Sequence, residues 1–145
     1  RNLLSISHIT AFELLNCDPK DSRREKYFKF VNGIKNHPIT QSITQNAAVL
    51  SNECKRLTGK YNHPFDIPDL ILGATILFYP NDTVYLLTTD RKDFFEPLWE
   101  LAAYQQVLKE DGENVEANMY LLGLNRGVLR PQYREAIIEN DEAKK

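Results

Sequence analysis

Asp66-Ile67-Pro68-Asp69-Leu70-Ile71-Leu72-Gly73-Ala74-Thr75-Ile76-Leu77-Phe78-Tyr79-Pro80-Asn81-Asp82-Thr83-Val84-Tyr85-Leu86-Leu87-Thr88-Thr89-Asp90-Arg91-Lys92-Asp93-Phe94 is the stretch whose reading decides the fold. Pro68 suits the first turn of a helix, where its missing N–H costs no helical hydrogen bond, and Asp66 stands where a cap belongs. The helix, about Pro68 to Tyr79, is apolar on every side and is therefore expected to be buried. Pro80-Asn81-Asp82 turns the chain. Thr83 to Thr88 is β-branched and aromatic, as expected for a buried strand of an α/β sheet, and Asp90 falls just past its end.

Upstream, Leu3 to Ile6 is a short apolar run and Ser7 is a candidate N-cap for a helix from about His8 to Asn16. Ile9, Phe12 and Leu15/Asn16 share one face of it, with Glu13 near the edge of that stripe. Asp18-Pro19-Lys20-Asp21-Ser22 reads as a turn, and a helix from about Ser22 to Gly33 follows. Ile43, Ala47, Leu50, Cys54 and Leu57 alternate four- and three-residue steps, which predicts a helix ending near Gly59. Tyr61 to Phe65 reads as a loop. Downstream, Leu98 to Lys109 and Asn114 to Leu124 read as helices separated by Glu110-Asp111-Gly112. A last helix opens near Pro131 and frays into the charged tail from Glu139 to Lys145.

The 145 residues fit one domain with a single core, and a 42% hydrophobic, 26% charged composition is that of a soluble globular chain. No apolar run approaches the ~20 residues of a membrane span. Cys17 and Cys54 have no CxxC spacing and read as inert free thiols in a reducing compartment, which leads to the expectation of a cytoplasmic protein. The net charge of −2 excludes a generally basic coat but not a local basic patch. His8, His37 and His63 lack metal-ligand spacing.

The chemistry is carried by acids. Asp69 sits in the first turn of a buried helix and Asp90 at the exit of a strand, where open α/β sheets bind ligands. If Glu13 projects into the same crevice, three carboxylates converge and cannot all remain ionised without a cation. Oxygen ligands select Mg²⁺ or Mn²⁺. Each acid also has a structural reading: Glu13 as a surface acid of its helix, Asp66 as a cap, Asp69 as a first-turn acid, Asp90 and Asp93 as turn residues. The basic run from Ser22 to Lys35 is equally the solvated face of a helix.

The segments Pro68 to Thr75 and Leu86 to Phe94, with Ser5 to Leu15 before them, resemble the PIN-domain family of ribonucleases. The resemblance covers about the first two-thirds of the chain. It rests on an acid opening an Ala-containing buried helix, a strand ending in Thr-x-Asp and a closing Asp-Phe. It implies a three-layer α/β/α fold with a short central parallel sheet over residues 1–97, to which 98–145 would add a helical C-terminal extension packed on the same domain. It further implies Glu13, Asp69 and Asp90 as catalytic metal ligands, with Asp93 as an additional one, and Mg²⁺ or Mn²⁺ as cofactor. RNA is the implied substrate, often for the toxin of a toxin–antitoxin pair, so an antitoxin protein and a homodimer are expected partners. Arg91 and Lys92 lie beside the acids, and Arg23 and Arg24 lie in the basic run, as candidate phosphate contacts. The family's opening strand and its terminal Asp do not precede Leu3, and the expectation is that this leading segment lies outside the given stretch. Two other functions are carried forward: an inactive PIN-like binding or assembly module, and a helical regulatory or scaffold protein without a parallel sheet.

Overall fold

The structure, a computed structural model, describes residues 4–16, 20–60, 65–80, 83–94, 96–108 and 116–137. The features expected at Cys17-Asp18-Pro19, Tyr61 to Pro64, Asn81-Asp82, Glu110-Asp111-Gly112 and the tail from Glu139 lie outside the described residues, as does Phe95.

The fold is mixed α/β, with four helices and two small sheets among the described residues. Strand β1 (Ser5–Ser7) leads into helix α1 (His8–Leu15), whose first turn is capped by Ser7 Oγ accepting from Ile9 N at 3.3 Å. The face expected to be buried is only partly so: Phe12 is 63% exposed, and Ala11 is the residue of α1 that is buried. Helix α2 (Arg24–Gly33) is held at its start by Asp21, whose Oδ1 accepts from Arg23 N at 2.9 Å. Strand β2 (Lys35–His37) then pairs in parallel with β1, Ser5 opposite Lys35 and Ser7 opposite His37. His37 ties this pair to the body, with Nε2 3.0 Å from Ser5 Oγ and Nδ1 3.1 Å from Tyr79 Oη.

Helix α3 (Gln41–Thr58) follows the four- and three-residue spacing read from the sequence. Thr40 caps it by accepting from Ile43 N at 3.2 Å, and Gly59 ends it in the left-handed region at φ 67°, where a side chain is strained. Helix α4 (Ile67–Leu77) packs along α3 and is buried through Ile71 and Gly73 to Leu77. Gly73 permits the close approach: a Cβ there would lie 3.0 Å from Leu50 Cδ1 and 3.4 Å from Trp99 Cζ2.

Several expectations are corrected here. Residues 98–124 do not form a helical extension; they contain strands β4 (Trp99–Leu108) and β5 (Glu116–Leu124), paired antiparallel from Trp99–Leu124 to Leu108–Glu116. Strand β3 (Leu86–Thr88) is shorter than the Thr83–Thr88 run and lies antiparallel to β5, so the second sheet has the order β3-β5-β4 and, among the described residues, no parallel neighbour. The cause is burial: Leu122 at 0% exposure, with Leu86, Tyr120 and Leu124, turns one face of this sheet onto α3 and α4, and Trp99 closes it against Phe94. Pairing with that buried strand overrides the helical leaning of β4. The helix expected near Pro131 is a single 3₁₀ turn, Pro131–Tyr133, after another at Arg126–Val128. With both sheets present, an all-helical architecture is excluded.

The C-terminal residues are fastened by buried polar groups. Arg126, 8% exposed, donates to Ile76 O at 3.1 Å and Leu77 O at 3.3 Å, and also to Tyr79 O, capping the carbonyl end of α4. Glu53, fully buried on α3, accepts from Arg56 at 2.8 Å and from Arg130 Nε at 2.6 Å and N at 3.0 Å. Burial alone would raise its carboxyl, but these hydrogen bonds and the Arg56 charge hold it at about 2. Asn46 pairs with Ile137 through two amide hydrogen bonds, both 2.9 Å.

Candidate functional site

Asp69 lies in the first turn of α4, one turn before Gly73, so its carboxyl sits at the open end of the seam between Leu50 and Trp99. A small pocket opens there, with Asp66, Asp69 and Asp93 at its rim and Leu50, Cys54, Leu98 and Trp99 among its lining. This apolar wall makes charge costly at Asp69. Burial first, then the charges of Asp66, Asp93, Glu13 and Asp90, push the Asp69 carboxyl up to about 6.

The other four acids come from separate parts of the chain. Glu13 is exposed on α1. Asp66 occupies the N-cap position of α4, but its side chain makes no capping hydrogen bond. Asp90 lies past β3 in a turn of its own, where its N donates to Thr88 Oγ1 at 3.1 Å and its Oδ1 accepts from Lys92 N at 3.1 Å. A hydrogen bond with the Asp90 carboxyl, then the Asp90 charge, raises the Asp93 carboxyl above its ordinary value. Thus Glu13, Asp90 and Asp93, named from the sequence, all bear on Asp69, the fourth acid so named. Asp66, read as a cap, joins them.

The basic candidates are distributed differently. Arg91 pairs with Glu96. Lys92 is exposed beside Asp90. Arg23 folds back on Asp21 at 2.9 Å and over Tyr27, and Arg24 lies over the Phe28 ring at 5.3 Å. Cys54, at the pocket floor, is inert: burial, then the Glu53 charge, raises its thiol to about 11. The sequence signal for Asp66 was its spacing, since a residue three before Asp69 across the first helical turn shares its side of the helix.

As donors to a divalent ion these groups fit in kind, being carboxylate oxygens crowded enough to raise the Asp69 and Asp93 carboxyls above their ordinary values. They do not form a ready-made cage. Among the described residues no three His, Cys, Asp or Glu side chains stand close enough together to hold a metal ion. Also among the described residues, no helix is long and apolar enough to cross a membrane.

No protein-family model, curated protein or solved structure matches the chain.

Proposed function

We propose that the acidic pocket is the centre of a Mg²⁺- or Mn²⁺-dependent endoribonuclease of the PIN type, with the α/β elements forming part of that family's three-layer arrangement. The supporting observation is the crowding at Asp69, where four further carboxyls from α1, the α4 cap and the turn after β3 bear on one half-buried acid. Asp69, Asp90 and Glu13 would hold the ion, with Asp93 and Asp66 adjoining. A bound divalent cation supplies a polarised water and neutralises charge on phosphate oxygens. The protein's own part is to position and deprotonate. Asp69 is fixed by a packed helix and Asp90 by its turn. A divalent cation would offset the mutual repulsion that raises the Asp69 and Asp93 carboxyls and so favour their ionised, ligating forms. Lys92 stands where a phosphate backbone would pass. The PIN resemblance extends this reading to a cytoplasmic toxin restrained by an antitoxin protein.

The assay is cleavage of single-stranded RNA with and without Mn²⁺. Cleavage that requires the metal and disappears in an Asp69→Asn, Asp90→Asn double variant is the expected result. Equal cleavage by the double variant refutes the assignment.

A second reading, an inactive PIN-like binding module, is favoured by one observation, the open spacing of the acids. Calorimetric titration with Mn²⁺ separates the two, because a module without a metal centre shows no saturable binding that depends on Asp69.

A further inference from the structure

Past Trp99, which is held in the core, β4 runs outward uncovered on both faces from Leu101 to Gln106. Every residue from Leu101 to Gln106 is exposed, including Leu101 at 48% and Tyr104 at 54%. A two-stranded ribbon alone in water is marginally stable, and this one continues to Leu108 paired with Glu116. β4 is also a sheet edge: the order is β3-β5-β4, and among the described residues no strand pairs with its outer side. A free edge offers a row of backbone donors and acceptors, which proteins ordinarily guard with Lys, Pro, inward charges, bulges or shortness. Trp99–Leu108 is ten residues long and contains no Lys, Arg or Pro. Its one irregularity lies between Leu101 and Ala103. Past that point Ala103-Tyr104-Gln105-Gln106-Val107-Leu108 is regular and uncharged.

We propose that the outer edge of β4, from Ala103 to Leu108, pairs antiparallel with the same edge of a second copy, joining two three-stranded sheets across a two-fold axis. The charge pattern selects this occupant. With the axis between Gln105 and Gln106, Gln105 of one copy faces Gln106 of the other and Tyr104 faces Val107. No charge enters the seam, and the two copies of Glu100 stay outside it. Nucleic acid is the wrong occupant: β4 and β5 carry Glu100 and Glu116 and no basic residue, which repels phosphate. The main-chain ladder supplies the affinity, and the exposed Tyr104 gains cover.

Sedimentation equilibrium of the whole chain over a dilution series is the test. The wild type is expected to be a dimer that dissociates by mass action. Gln105→Lys with Gln106→Lys sets four lysines into the seam while altering only exposed side chains, and is expected to weaken association at least tenfold with an unchanged circular dichroism spectrum. Amide exchange gives a second reading, since residues 103–108 gain protection with concentration in the wild type and not in the variant. A monomer at every concentration, an open-ended polymer, or a dimer indifferent to the lysines overturns the proposal. So does concentration-dependent protection confined to other elements.

Discussion

Asp69 has two masters: the apolar wall and the surrounding acids both oppose its ionisation, while the helix N-terminus favours it. The opposition wins, and the sign of the pH dependence follows. Its folded pKa of about 6 lies above the ordinary 3.8, so the folded chain binds the proton more tightly than the unfolded one. The stability this group contributes is complete below about pH 4 and is lost as pH rises through about 6. Asp69→Asn is therefore expected to raise the melting temperature at pH 7.5 in metal-free buffer and to flatten that loss. A variant less stable than wild type at that pH shows that the acids do not crowd. Glu53 has the opposite sign. Its folded pKa of about 2 lies below the ordinary 4.5, so its contribution is complete above about pH 4.5 and fades toward pH 2. Glu53→Ala takes the shared buried partner from the part-exposed Arg130 and Arg56 and is expected to cost about 1–3 kcal/mol in urea melts at pH 7; no measurable loss contradicts that role. Residue identity alone made Asp69 and Asp90 legible, because their places after a Pro and after a β-branched run are local facts. Glu53 was illegible, since its partner Arg130 is 77 residues away.

At the scale of elements, periodicity was a good guide wherever one face was buried along the whole element. Helix α3 shows its buried residues at the spacing read from the chain, and the Ser7 cap and the Gly59 stop fall where expected. The ribbon was misread because Glu100, Leu101, Ala102, Ala103, Gln105 and Gln106 favour helices, and isolated propensity does not register a strand partner. The better signal was Asp111-Gly112 between two runs of about ten residues, a hairpin pattern. The packing of α3, α4 and β4 through Gly73 gives a direct check. Gly73→Ala forces Leu50 or the Trp99 ring to shift and is expected to destabilise by about 1–3 kcal/mol. Gly123→Ala meets only ordinary contact, 3.5 Å from the Tyr85 ring, and is expected to be tolerated. Equal effects at the two positions in denaturant titrations contradict the seam.

Across the whole molecule, the expected central parallel sheet is met only in part: the described residues form a parallel β1–β2 pair and a separate antiparallel β3-β5-β4 sheet, and strand-like runs taken singly do not register which strands pair. What unites the chain is one core, in which Leu50, Ala74, Trp99, Leu122 and Leu129 lie together. That core draws α1, α4 and the turn after β3 to one corner, and the acids arrive there as passengers of the packing. Whether such crowding serves a cation is answered most directly by calorimetric titration of Mn²⁺ into metal-free protein at pH 7.5. Saturable binding at one site, accompanied by proton release and abolished by Asp69→Asn, agrees with a divalent centre. Heat that never saturates, or identical binding by the variant, contradicts it.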